Sequence, residues 1–408
     1  MKAIRIHAFG GPEVVTYEEV SKPVPREHEV LFKVTSTCVN YADVQWRLGN
    51  YVDRTLPATL GREAAGIIEA VGSGVTTLQV GQPIMARAIG GNAEYALAQS
   101  QNVFPCPAGL DMAQAGGIPV VFLTAYHLLR SLKSLQPGDT VLVQAAASGV
   151  GTILVQLCKQ WGFRSIATAS TEAKLELARS LGADVTINYL TQDFEAEVMR
   201  LTQGAGVQLA LEAVGGEVTI KSMRCLAPFG CLVNYGNASN QSATLPLPSF
   251  REQRAAMGFS LPAMSPRSDN QAPMAEILDL IMAGKVRLIV DQVLPLSEAA
   301  KAHAHLSNRG TLGKVLLIPQ ERAAARCPDG CCRIAAVRVA ATRRQRFRHL
   351  QAGYRGAAVP ALNVLGSACA ITSLNRRKAS MCSCGECCAP LSVLTERWVA
   401  PSVSQACI

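Results

Sequence analysis

Between Thr140 and Gly162 the spacing of apolar residues changes once, across a patch of small side chains. Thr140 to Val143 form an apolar run rich in β-branched residues, which predicts a buried strand. Ala145 to Gly151 carry little side chain. From Ile153 onward Leu154, Leu157 and Trp161 fall three to four positions apart, the period of a helix with one buried face. A strand that enters a helix through a tight turn gathers unbonded backbone N–H groups at the positive end of the helix dipole. That geometry suits a dinucleotide pyrophosphate. As a G-x-G-x-x-G fingerprint the stretch is degenerate: Ala146 and Ser148 stand for the first two glycines, and only Gly151 remains. A strand–helix turn without a ligand fits these residues equally well.

The alternation continues downstream. SIATAS from Ser165 predicts a second strand, TEAKLELARSLGAD a short helix ended by glycine, and VTINY a third strand. VQLALEAVGG and CLVNYG add two more. Strands alternating with helices predict an α/β fold with a doubly wound parallel sheet of Rossmann type, its ligand at the carboxyl ends of the strands. An NAD site would end the second strand in Asp or Glu, to hold the ribose 2′-hydroxyl. Here the strand ends Ala169-Ser170-Thr171, with Lys174 one turn into the helix. A hydroxyl and a cation suit the 2′-phosphate of NADP. Glu172 lies nearby, but in the first helical turn, where the helix dipole already accounts for a carboxylate.

Several further blocks carry a resemblance. They are VNYADVQWRLGNY (39–51), LGREAAGIIEAVGSGV (60–75), VGQPIM (80–85), AEYALA (93–98), LTAY (123–126), AAASGVG (145–151), STEAK (170–174), LVNYGN (232–237) and GTLGKVLLIP (310–319). In this order the chain resembles the medium-chain dehydrogenase/reductase superfamily, in its zinc-free quinone oxidoreductase (zeta-crystallin-like) branch, from Met1 to about Pro319. The resemblance implies a mostly-β GroES-like catalytic domain over residues 1–119, a Rossmann domain for NADPH over 120–259, and a return of the catalytic domain over 260–319. It implies hydride transfer from NADPH to a quinone or similar conjugated carbonyl, in a cytoplasmic homodimer.

By the same resemblance Ser148, Gly149, Val150 and Gly151 meet the pyrophosphate, and Ser170, Lys174 and Tyr189 the 2′-phosphate. Tyr235, Gly236 and Asn237 border the nicotinamide. Asn40, Asp43 and Tyr51 line the acceptor side, and Thr124 contacts the nicotinamide carboxamide. Asn40 can donate an amide N–H to a carbonyl, and Tyr51 a proton or hydrogen bond. Tyr51 also reads as a plain turn aromatic after Gly49-Asn50, and Thr124 as a helix cap or core hydroxyl. Asp43 is expected to orient its neighbours, Glu63 to be a buried structural carboxylate, and Lys314 to face either the cleft or solvent. Ser148 departs from the branch, which usually has glycine there. A serine resembles the sister branch of 2-enoyl thioester reductases, which keeps double-bond reduction as the alternative activity.

No metal is expected. Zinc-dependent members place a cysteine at Asn40 and a histidine at Arg62, and an arginine cannot ligate Zn²⁺. The structural zinc of the family needs four clustered cysteines near residues 86–106, where only Cys106 is present.

Charge separates the chain into two parts. Residues 1–320 carry 26 basic and 26 acidic side chains, so the whole net charge of +9 belongs to the remainder. Residues 321–408 hold nine of the 14 cysteines and 12 arginines against one lysine, and lack sustained apolar periodicity. They are expected to be an unpatterned, disordered extension. RRQRFRH (343–349) would bind phosphate backbones only weakly, so nucleic acid is not an expected partner. A non-catalytic NADPH-binding protein with a basic tail is the reading from another class. The opening MKAIRIHAF reads as a strand rather than a signal peptide, and IPVVFLTAYHLL is too short to span a membrane. The five scattered cysteines of the first part suit a reducing cytosol.

Overall fold

A computed structural model describes residues 1–51, 55–264 and 270–319, and the expectations for residues 320–408 lie outside the described residues. Strand β1 (Lys2–Ile6) pairs antiparallel with β2 (Val15–Glu19). The long β3 (Glu29–Val39) leads into helix α1 (Tyr41–Arg47), and β4 (Ala58–Thr59) returns to β1. There follow β5 (Ala64–Val71), β6 (Pro83–Ala86), β7 (Tyr95–Gln99) and β8 (Val103–Pro105), then α2 (Met112–Ala115) and α3 (Pro119–Arg130).

The chain now changes to a βα alternation. Its strands are β9 (Thr140–Val143), β10 (Arg164–Ala169), β11 (Val185–Asn188), β12 (Val207–Glu212), β13 (Leu226–Asn234) and β14 (Ala255–Gly258). Between them run α4 (Gly149–Trp161), α5 (Glu172–Leu181), α6 (Phe194–Leu201) and α7 (Glu217–Arg224). After α8 (Leu261–Met264) and α9 (Gln271–Met282) come β15 (Val290–Pro295), α10 (Ala299–Ser307) and β16 (Lys314–Ile318).

Strands β9 to β14 form one parallel sheet in the order β11-β10-β9-β12-β13-β14. Winding starts at β9, runs outward through β10 and β11, then restarts on the other side with β12. The carboxyl ends of β9 and β12 therefore flank a topological switch point, where a doubly wound sheet opens a crevice. All four residues of β9 are buried, as a central parallel strand requires. Helix α4 buries Ile153, Leu154 and Leu157 against Val141, Val143 and the apolar side of α3, the face that its period predicts. The short edge strand β14 is an addition to the five predicted strands; Ala-Ala-Met-Gly carries no β-branched or aromatic residue.

A seven-stranded mixed sheet takes β3, β5, β6, β7 and β8 from before the parallel sheet and β15 and β16 from after it. The closing strand β16 pairs antiparallel with β3, Leu316 facing Cys38. This pairing brings residue 314 beside Asn40 and Glu63, and so assembles the site described next.

Candidate active site

Four side chains meet in the interior where β3, β5 and β16 come together. Lys314 donates from Nζ to Oδ1 of Asn40 (2.7 Å) and to Oε1 of Glu63 (3.0 Å). The same Glu63 oxygen accepts from Nδ2 of Asn40 (2.9 Å) and from the Cys38 thiol (2.9 Å). The other oxygen of Glu63 accepts from the Val120 N–H (2.7 Å) at the start of α3. Lys314 is only 3% exposed, so the solvated reading of this residue does not hold. Burial works against its ammonium, but Cys38 and the facing Glu63 carboxylate together more than offset burial and raise it, so it stays protonated. Burial and the same carboxylate push the Cys38 thiol well up, so it stays neutral. Glu63 is fully buried. Asn40 is nearly so, and its amide is committed to Lys314, Glu63 and Cys38 rather than turned toward an acceptor.

Asp43 caps α1 from within: its Oδ2 accepts from the Asn40 N–H (2.8 Å), as in one half of a capping box. Its other oxygen lies 3.8 Å from Nε of Arg62. Burial raises the Asp43 carboxyl, with the Arg62 guanidinium acting in the opposite sense. The guanidinium of Arg62 also lies over the ring of Tyr51, 4.9 Å from its centroid, and Tyr51 itself is 43% exposed. Helix α1 meets the loop after β13: the Tyr41 hydroxyl donates to the Ala238 carbonyl (2.9 Å) and Gln45 to the Asn237 carbonyl (3.4 Å). These contacts bring helix α1 against Asn237 and Ala238, directly after Tyr235 and Gly236. Tyr235 has a buried hydroxyl with no hydrogen-bond partner. Thr124 lies within α3, buried, so it is not a helix cap.

The turn after β9 has the expected form with one shift. Ala145 takes φ of 52°, so the left-handed position falls one residue before Ala146. Ser148 caps α4, its Oγ accepting from the Gly151 N–H (3.0 Å), which leaves its own hydrogen to donate. Among the described residues the N–H groups of Gly149 and Val150 have no backbone acceptor. A Cβ on Gly151 would lie 2.3 Å from the Ala145 carbonyl oxygen, which explains the one glycine that remains. The loop before β16 packs on this turn, the Gly313 N–H donating to the Ala147 carbonyl (2.8 Å).

Ser170 follows β10 and Tyr189 follows β11, two strands paired through Ala169 and Asn188. Lys174 stands in the first turn of α5, whose cap is Thr171. Its Nζ donates to the Arg309 carbonyl (2.6 Å). Burial, then the neighbouring Arg309 guanidinium, lower the Lys174 ammonium, while Asp291 acts in the opposite sense. Two cations brought together in this way fit a 2′-phosphate. Arg309 was invisible in the sequence because it lies 135 positions from Lys174. Glu172, the other candidate for a ribose, is paired with Arg179 (2.7 Å). Helix, turn and unpaired donors thus fit the pyrophosphate and 2′-phosphate of NADPH.

A doubly wound sheet whose switch point faces a mixed β unit defines a nicotinamide-dinucleotide dehydrogenase or reductase. Known proteins narrow the class. Residues 26–126 match the alcohol dehydrogenase GroES-like domain, and residues 181–317 match a family described as zinc-binding dehydrogenase. A quinone oxidoreductase of Pseudomonas aeruginosa is 34% identical over 324 residues, 78% of this chain and 99% of its own length. A 2-haloacrylate reductase of a Burkholderia species is 34% identical over 326 residues, 77% of this chain and 98% of its own. The crystal structure of Escherichia coli quinone oxidoreductase complexed with NADPH superposes with a TM-score of 0.75 at 31% identity, covering 78% of this chain and 100% of that one. The chain belongs to the medium-chain dehydrogenase/reductase superfamily, in its quinone oxidoreductase branch.

The residues at the position of a catalytic zinc do not fit that ion. They offer an amide, an arginine and one carboxylate already bonded by a lysine ammonium that would repel a cation.

Proposed function

We propose that this protein is an NADPH-dependent, zinc-independent reductase of quinones or similarly conjugated carbonyls. The observation that carries this reading is the buried Lys314–Glu63–Asn40 cluster, a fixed cation where a metal-dependent relative would need an open metal site. When bound, NADPH supplies the hydride; with one proton from solvent or Tyr51, a quinone leaves as the hydroquinone. The cofactor groups are Ser148, Gly149, Val150 and Gly151 for the pyrophosphate, and Ser170, Lys174 and Tyr189, with Arg309, for the 2′-phosphate. Tyr235, Gly236, Asn237 and Thr124 border the nicotinamide. Tyr51 meets the acceptor, and Asp43 orients Arg62. Asn40 is assigned a positioning role, because its amide is already bonded. The domain division is 1–119, 120–259 and 260–319.

The same reading carries a homodimer in the cytoplasm. Among the described residues no helix is long and apolar enough to cross a membrane. The balanced charge of residues 1–320 supports a small-molecule partner rather than nucleic acid.

Double-bond reduction is the second reading, favoured by Ser148 and by the relative named 2-haloacrylate reductase. A steady-state screen with NADPH separates them. Quinones are expected to turn over and 2-enoyl thioesters to be poor substrates; efficient thioester turnover with inert quinones overturns the first reading. Binding of NADPH with no turnover of any acceptor would point to the non-catalytic class.

A further inference from the structure

Beside Tyr51, on the proposed acceptor side, Arg62 presents a guanidinium whose donors no acceptor among the described residues takes at ordinary distance. Arg62 is held in place by the Tyr51 ring at 4.9 Å and by a loose pairing with Asp43 at 3.8 Å. Among the described residues its side chain makes no hydrogen bond as short as an ordinary one. It is 22% exposed, so it is partly stripped of water yet still open to a ligand.

Among the described residues the surrounding charges do not cancel it. Asp43 gives one oxygen to the Asn40 N–H, and its distance from Arg62 leaves the pairing incomplete. Glu63 is already neutralised by Lys314. A neutral acceptor that closes over Arg62 would remove water from its donors and return a single carbonyl oxygen, a weaker partner for a cation. A carboxylate would take two of them at once, the pairing for which a guanidinium is shaped.

From this we propose, resting on the reductase reading above, that the acceptor is anionic. It would be a planar conjugated carbonyl carrying a carboxylate, with the carboxylate on Arg62 and the ring system beside Tyr51. Arg62 then sets specificity by differential binding and takes no part in the hydride step.

The test compares kcat/KM with NADPH for an ortho-naphthoquinone and for its carboxylic acid. A charge-assisted hydrogen bond corresponds to a preference of roughly tenfold or more for the acid. In Arg62→Gln that ratio should fall to near parity, and Arg62→Lys, which keeps the charge, should retain more of it than Arg62→Gln. Should Arg62→Gln fail to fold, salt provides the second measurement: at saturating NADPH, high ionic strength should shrink the preference in the unmutated protein without changing turnover of the neutral quinone. A ratio near one in the unmutated protein, or a preference that survives Arg62→Gln, overturns the proposal while leaving the reductase reading intact. Calorimetric titration of the full chain with a naphthalene carboxylate requires no turnover. Binding that is lost in Arg62→Gln, in a protein inert toward both quinones, supports the anion site and overturns the reductase reading instead. Absence of binding in that case overturns both.

Discussion

In the proposed site, Lys174 is the residue that sets the cofactor preference. Beside Arg309 it presents two cations that the ribose hydroxyl of NADH cannot use. A charge-assisted hydrogen bond contributes roughly 1.5–3 kcal/mol, so NADPH should bind at least about tenfold more tightly than NADH. Lys174→Ala should remove most of that preference in a calorimetric titration of both cofactors. Equal affinity in the unmutated protein contradicts the assignment. Substitution of Tyr51 tests which of the two proposed chemistries operates. Double-bond reduction must deliver a proton to carbon, which is slow without a placed donor, and there Tyr51→Phe should slow turnover about 10²–10⁴-fold. A hydroquinone oxygen takes its proton from water, so quinone turnover should fall less than about tenfold, the loss of one modest hydrogen bond. The position of Lys174 could be read from a strand end, whereas a role for Tyr51 came only from the family resemblance, since its Gly-Asn turn alone implies a plain turn aromatic. Lys314 was legible only as an ambiguity. It finds Asn40 across 274 positions, and no local pattern reports a partner so remote.

At the scale of elements, the turn between β9 and α4 shows how much a degenerate motif can hide. The fingerprint asks for three glycines and the chain keeps one, yet the turn forms. Ala145 accepts a left-handed φ, and Ser148 supplies the cap. Gly151 is the position that cannot give way, because a Cβ there would strike the backbone of Ala145 and Ala146. Gly151→Ala should therefore push α4 off β9, abolish measurable NADPH binding and lower Tm. An alanine variant that binds NADPH normally would contradict this account of the turn. Strands with β-branched or alternating residues were legible. The edge strand β14 was not, because its register beside β13, Cys231 opposite Ala255, is set by the neighbouring strand rather than by its own residues.

Across the whole molecule, β16 ties the parts together: it closes the mixed sheet, carries Lys314 into the buried cluster, and follows the loop that packs on the pyrophosphate turn. Near it, α10 sets a limit on stability in acid. His303 on α10 is buried with neither ring nitrogen bonded. Burial, then the adjacent Arg47, push its pKa down to about 3 from 6.5. The unfolded chain thus takes up a proton below pH 6.5 that the folded chain refuses, so stability is lost as pH falls between those two values. By linkage, His303 alone should cost about 1.4 kcal/mol at a pH roughly one unit below 6.5. Urea denaturation of His303→Leu should show a shallower fall over the acid range than the unmutated protein; an unchanged slope contradicts a buried neutral histidine. The most direct test of the central claim is the stoichiometry of NADPH oxidation with an ortho-quinone in the presence of a strong chelator. The account predicts sustained turnover with one hydroquinone formed per NADPH consumed. Loss of activity to the chelator, restored by added zinc, would contradict it.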